Sequence, residues 1–300
     1  MGTFLQTLFV GLRLGSVYAL IALGYTLVYG IIELINFAHG EIYMLGAFTA
    51  LLVAGVLGIV GFPAGGILIV AALAAVVWSA AYGYTLEKVA YKPLRGAPRL
   101  SPLISAIGMS IFLQNYVLLA QTSDYVPFPR LLPEMEFLDY LGNIMGPSDF
   151  LILVTSTLAM VSLSLFIRYT RMGKAMRATA QNRKMALLLG INADRIISLT
   201  FIVGSALAAL GGVLIASHMG QVNFGIGFLA GLKAFTAAVL GGIGSIPGAM
   251  VGGLVLGIAE SMTTGYLSGN YEDALAFALL ILILIFRPDG ILGKAKVQKV

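Results

Sequence analysis

The sequence predicts an all-α polytopic helical membrane protein, with about eight or nine transmembrane helices, broken helices and an inverted internal repeat. Three observations carry this expectation. The 300 residues are 59% hydrophobic and only 10% charged, with mean hydropathy +0.96, whereas a soluble domain carries about 25% charge. Apolar stretches recur along the whole chain at lengths suited to spans of about 20 residues. Two segments 187 positions apart match in sequence.

The stretches fall in order at 10–32, 42–60, 64–86, 103–121, 149–167, 196–217, 229–243, 247–264 and 273–287. Residues 3–12 are either the start of the first span or a short interfacial helix. No charged leader or cleavage site precedes the first run, so that span is expected to stay. The 37 glycines suit helices whose backbones approach closely. Several spans are short or glycine-broken, which leaves eight or nine open. The chain has no cysteine, which excludes disulfides, thiol catalysis and cysteine metal sites. The net charge of +5 reads as loop asymmetry, not as affinity for nucleic acid.

Loop charges set the expected topology. Lys88, Lys92, Arg95 and Arg99 lie in 87–99. Arg168, Arg171, Lys174, Arg177, Arg183, Lys184 and Arg195 crowd 168–195. Arg287, Lys294, Lys296 and Lys299 mark the C-terminal tail. Segment 122–149 instead carries Asp124, Glu134, Glu136, Asp139 and Asp149, and it contains Pro127, Pro129, Pro133 and Pro147. Positive loops stay cytoplasmic, so the basic segments and the C-terminus are expected inside and 122–149 outside, as an irregular loop. Nine spans put the N-terminus outside.

Residues 36–50, NFAHGEIYMLGAFTA, align with 223–237, NFGIGFLAGLKAFTA, at eight of fifteen positions. Each copy opens a span after a preceding one, and a Gly/Pro-rich break follows each, GFPAGG at 61–66 and GGIGSIPGA at 241–249. Five spans separate the copies, so their orientations are opposite, as in inverted-repeat transporters. The units are about 10–121 and 196–287, with 149–167 as a bridging span. Chance similarity between apolar helices is the competing explanation.

Polar residues at membrane depth single out candidate positions, because uncompensated charge there is costly. Glu33, Asn36, His39 and Glu41 interrupt the apolar pattern after the first span, beside Gly30 and Gly40. They form either a broken helix lining a cavity or a loop at the cytoplasmic edge. Asn223 and Lys233 occupy the mirrored break, with Lys233 able to snorkel outward. Glu260 needs a partner or water within its span. Gln114 and Asn115 favour interhelical hydrogen bonds. The candidate substrate pathway is therefore Asn36, His39, Glu41, Gln114, Asn223 and Glu260. His39 and His218 are far apart and lack ligating neighbours, so no metal site is expected.

In the basic loop 168–195, Met172, Ala175, Met176, Thr179 and Ala180 approximate a helical stripe, and Met185–Leu189 form an apolar run stopped at Gly190. The loop is either a docking surface, with Arg177, Lys184, Leu188 and Gly190 as candidate coupling residues, or an amphipathic helix on anionic lipid. No phosphate-cradling G-x-x-x-x-G-K-[ST] motif occurs, and no catalytic constellation or cofactor site is evident.

GLRLGSVYALIALGYTLVYGIIELINFAHGEIYMLGAF at 11–48 resembles the opening of bacterial branched-chain amino acid ABC-transporter permeases of the LivH type. The resemblance continues through YKPLRGAPRLSPLISAIGMSIFLQN at 91–115, RATAQNRKMALLLGIN at 177–192 and KAFTAAVLGGIGSIPGAMVGG at 233–253, and ends with IFRPDGILG at 285–293. It implies one permease domain over 1–300, in a bacterial inner membrane. It implies pairing with a second permease, two cytoplasmic ATPase subunits beneath, and a periplasmic binding protein that delivers Leu, Ile, Val or a related amino acid. Segment 168–195 would then be the coupling segment, 122–149 a contact for the binding protein, and ATP hydrolysis would occur on other chains. Related systems carry urea or short amides. An ion-gradient-driven carrier, using Glu41 and Glu260, is the alternative mechanism; an intramembrane enzyme is a weaker third.

Overall fold

The computed structural model describes residues 2–98, 100–129, 131 and 145–293. Residues 132–144, with Glu134, Glu136 and Asp139 of the acidic segment, lie outside the described residues, as do Arg99, Arg130, Lys294, Lys296 and Lys299.

The order is α1 (Gly2–Ile32), α2 (His39–Ile59), α3 (Ala64–Leu86), α4 (Leu100–Ala120), β1 (Val126–Pro127), α5 (Pro147–Tyr169), α6 (Arg171–Gln181), α7 (Arg183–Leu188), α8 (Ala193–Met219), β2 (Gln221–Val222), α9 (Ile226–Gly241), α10 (Ile246–Tyr266) and α11 (Glu272–Phe286). Among the described residues, eight helices are long and apolar enough to cross a membrane, α11 when counted with the 3-10 turn Gly269–Tyr271 that leads into it, as an 18-residue helix Gly269–Phe286. The ninth apolar helix, α9, has 16 residues, about 24 Å at 1.5 Å per residue, short of a hydrocarbon core of about 30 Å. Nine apolar helices form among the described residues, and eight reach spanning length. Residues 3–12 are the start of α1 and not a separate helix.

Small residues decide which helices meet. Gly11, Gly15 and Ala19 run along one face of α1, four residues apart, and face Gly253, Gly257 and Ser261 of α10. A Cβ on Gly11 would lie 2.7 Å from the Cα of Ile258, and one on Gly15 would lie 2.7 Å from the Cα of Leu254. The helices run antiparallel at backbone contact, the small-xxx-small packing of membrane bundles. In the same way Gly204 of α8 backs onto Gly24 of α1, and Gly46 of α2 meets Ala209 of α8. Apolar side chains of α1, α2 and α8 fill the centre, including Leu20, Ile21, Leu23, Ile42, Met44 and Phe201, each under 2% exposed. The outer helices α3, α4, α5 and α11 turn Leu, Ile, Val and Phe outward, where lipid is the solvent.

Helix ends gather at two poles. The basic pole holds the turns after α1 and α3, the short helices α6 and α7, and the turns after α9 and α11. The acidic pole holds the turns after α2, α4, α8 and α10. At the acidic pole β1 and β2 pair antiparallel, Val126 with Val222 and Pro127 with Gln221, and Phe128 N–H donates to the Gly220 carbonyl at 2.8 Å. The all-α expectation did not include this clip. It ties the acidic segment to the connection between α8 and α9.

Candidate functional site

α1 ends at Ile32, and Glu33 adopts φ +57°, turning the chain back into the bundle. His39, the first residue of α2, lies beside Gly24, where a Cβ would come within 2.5 Å of His39 Cε1. Gly24 is about 12 Å along α1 from Ile32 by helical rise. α2 therefore begins inside the bundle and not at its surface. Asn36, His39 and Glu41 are each buried, at 2%, 1% and 1% exposure. The edge-loop expectation fails for these three and holds only for Glu33, which is exposed. The backbone turns inward because Gly40 lets α2 start against Gly227 and Gly231 of α9.

Each buried polar group here has a particular neighbour. Asn36 Oδ1 accepts from the Tyr91 hydroxyl at 2.9 Å. The His39 ring meets Tyr25 edge-on at 4.8 Å. Glu41 Oε1 accepts from the Ser110 hydroxyl of α4 at 3.0 Å, and its Oε2 has no hydrogen-bond partner among the described residues.

In the mirrored break, Asn223 Oδ1 accepts from the Gly225 N–H at 3.0 Å, so Asn223 shapes the turn into α9. The contacts Phe37 with Phe235, Gly40 with Gly231 and Met44 with Gly227 show α2 and α9 crossing antiparallel. A cavity of about 160 Å³ lies beside this crossing, bordered by Tyr25, Phe37, Ser110, Gln114, Phe228 and Leu232. It has room for about five waters. Gln114 faces it, and Asn115 Nδ2 donates to the Ile111 carbonyl of its own helix at 2.8 Å. Neither makes the expected interhelical hydrogen bond.

Glu260 sits elsewhere. Fully buried in α10, it accepts from the Tyr18 hydroxyl at 2.8 Å and lies 3.4 Å from Lys233 Nζ. Lys233 also pairs with Glu272 and, at 2.9 Å, with Asp273 at the start of α11. Lys233 is 7% exposed, its ammonium held between buried Glu260 and the part-exposed Glu272 and Asp273 at the acidic-pole start of α11. The structure thus groups Asn36, His39, Glu41 and Gln114 around the α2 break, and separates Asn223 and Glu260 from them.

At the basic pole, Thr170 Oγ1 caps α6 through the Gly173 N–H at 3.0 Å, and Asn182 Oδ1 caps α7 through the Met185 N–H at 3.0 Å. The face of α6 that packs inward is Gly173, Met176 and Thr179; Met172 and Ala180, expected in the stripe, are exposed. On α7 only Ala186 is buried. Leu187, Leu188 and Leu189 are exposed, Leu188 at 81%. Gly190, at φ +79°, ends this tip in a conformation open to glycine. Lys184 and Arg177 are exposed on either side, Arg177 donating to the Arg168 carbonyl at 3.2 Å.

Sequence reasoning missed several groups. Glu87, fully buried, pairs with Arg95, which also bonds Asp194 Oδ1 at 2.5 Å. Arg13 pairs with Asp149 at 2.5 Å, clamping α1 to α5. Tyr18 and Tyr91, which bond buried Glu260 and Asn36, were not singled out by the sequence. The available signal was the single acidic residue within otherwise apolar or basic stretches, as at Glu87 and Asp194, since each needs a cation nearby.

The chain matches, over residues 7–284, a family model described as branched-chain amino acid transport system / permease component. It is 53% identical over 301 aligned residues to the high-affinity branched-chain amino acid transport system permease protein LivH of Escherichia coli K12, covering 99% of this chain and 98% of that one. The corresponding BraD protein of Pseudomonas aeruginosa is 53% identical over the same shares. A LivH relative from Methanocaldococcus jannaschii is 31% identical over 45% of each chain. Matched nearly end to end and built as a multi-pass helical bundle, the chain belongs to the family of branched-chain amino acid transport permeases.

Proposed function

We propose that this chain forms half of a solute conduit in an ATP-driven importer of branched-chain or related amino acids. The observation that carries the reading is the full-length identity to LivH and BraD permeases. In this reading a second permease supplies the other half, two ATPases dock on the cytoplasmic face, and a periplasmic binding protein delivers the solute. The exposed Leu187–Leu189 tip, flanked by Lys184 and Arg177, supports a protein partner at the basic pole. A contiguous apolar tip needs cover, and the basic surroundings support a cytoplasmic side for that pole.

The pathway runs past the cavity at the crossing of α2 and α9, where Phe37, Phe228 and Leu232 suit an aliphatic side chain and Ser110 and Gln114 a polar head group. Its place between the two matched segments fits an inverted repeat, with α1–α4 and α8–α11 as units and α5 as the bridge. The same pairings recur in both halves: α1 lies along α10 as α8 lies along α3, and α2 along α3 as α9 along α10. Urea or a short amide remains the alternative cargo for the same conduit.

Affinity purification of the tagged chain from cells co-expressing its genomic neighbours tests the assembly. A second permease and an ATPase should co-purify, and ATP depletion should stop leucine uptake. Uptake that survives ATP depletion while an ion gradient persists would replace this reading with the secondary carrier. That alternative is motivated by the buried carboxylates of Glu41 and Glu260.

A further inference from the structure

We propose that Arg95 and Tyr91 are positioning residues, carrying movement of the docking tip to the helix break at Asn36. This rests on the reading that the basic pole meets an ATPase, and it adds the route by which that contact reaches the conduit.

The chain of contacts is continuous. Arg183, which opens α7, reaches Asp194 Oδ1 at 3.3 Å. Asp194, in the first turn of α8, is bound by Arg95 at 2.5 Å. Arg95 also grips Glu87, a fully buried carboxylate that accepts from the Ser198 hydroxyl of α8 at 2.8 Å. Glu87 begins a π-helical turn that ends at Tyr91, a widened turn of the kind found at functional sites. Tyr91 is 1% exposed, and its hydroxyl holds Asn36. The Asn36 carbonyl accepts from the His39 N–H at 3.0 Å, which sets the start of α2, and Glu41 in that first turn bonds Ser110 on the cavity wall.

Packing does not do this work across the direct line. A cavity of about 360 Å³ separates the end of α6 and start of α7 from the break, bordered by Glu33, Leu34, Tyr91, Arg95, Asn182 and Arg183. Helices α6 and α7 also pack on α1 and α8, but the polar contacts that lead from α7 to the break follow the rim of this gap, where Arg95 and Tyr91 stand. Both links are directional. Arg95 presents a fork that bridges two carboxylates, which a lysine ammonium cannot reproduce. Tyr91 contributes one hydroxyl to one buried acceptor.

The test uses the complete transporter, with its second permease and ATPases, in proteoliposomes supplied with leucine-loaded binding protein. ATP hydrolysis and leucine uptake are measured on the same vesicles. Tyr91→Phe keeps the ring and removes the hydroxyl. It should lower uptake per ATP hydrolysed by about tenfold while hydrolysis stays within about twofold. Arg95→Lys should lower the same ratio by about threefold, and the double variant should be no worse than Tyr91→Phe alone, because both break one route. A merely structural role would lower assembly, hydrolysis and uptake together and leave the ratio unchanged. An unchanged ratio in Tyr91→Phe, or defects that multiply in the double variant, would overturn the relay while ATP-dependent wild-type uptake keeps the functional reading. Wild-type uptake that needs no ATP would overturn both.

Discussion

Replacing Lys233 by methionine should destabilise the bundle by leaving a buried carboxylate without its cation. Lys233 is 7% exposed and faces Glu260, which is fully buried in α10. Its other two partners, Glu272 and Asp273, keep 33% and 53% of their side-chain surface, so losing those contacts costs little. The cost lies with Glu260. Breaking a buried pair by removing one partner costs about 3–5 kcal/mol. The Tyr18 hydroxyl, 2.8 Å from Glu260 Oε2, still solvates the carboxylate, which places Lys233→Met at about 3 kcal/mol, near the lower end of that range. This is about two powers of ten in the folding equilibrium. Glu260→Gln added to Lys233→Met removes the orphaned charge, keeps an acceptor for Tyr18, and should recover about 2 kcal/mol. The assay is reversible unfolding in mixed micelles by denaturing detergent, read by circular dichroism on the wild type, both single variants and the double. A Lys233→Met variant within about 0.5 kcal/mol of wild type, or a double variant no more stable than that single, would show that Glu260 does not depend on Lys233.

Other expectations concern packing and docking. Gly257→Leu forces a side chain into the backbone of α1 at Gly15 and Gly11 and should abolish stable protein, measured as loss of a monodisperse peak in detergent. Leu188→Glu changes a side chain 81% exposed. It should shift stability by about 0.5 kcal/mol or less yet remove ATPase co-purification; retained co-purification would refute the docking tip. Gly190→Val, at φ +79°, should cost about 1–2 kcal/mol locally and uncouple ATP hydrolysis from uptake, as should Arg177→Glu; normal coupled transport in both would displace the docking surface. Asn182→Ala removes the cap of α7 and should weaken that helix by about 1 kcal/mol, visible as faster amide exchange at residues 183–188.

Much of the helical order was legible because apolar runs in lipid report length directly. The runs at 64–86 and 149–167 correspond to Ala64–Leu86 and Pro147–Tyr169. The short helix α9 was harder, since its expected start at 229 followed the apolar run and not the Gly225 turn that begins it. The α2 break was marked by the polar cluster at 33–41, but its depth was not. Burial of Glu41 depends on Gly40 meeting Gly227 and Gly231, a contact between residues almost two hundred positions apart. Lys233 shows the same limit. Its snorkelling length is a local property, and the acids that hold its ammonium come from α10 and α11. The inward face of α6 was shifted because Gly173 packs on the backbone at Ile167, while hydropathy counted the exposed Met172 as core.

ATP-driven import is tested by radiolabelled leucine uptake into proteoliposomes holding this chain with its co-purifying subunits, loaded binding protein outside and ATP inside. Accumulation should require both ATP and the binding protein and persist when ion gradients are collapsed. Accumulation by the lone chain driven by an ion gradient, without ATP, would contradict ATP-driven import.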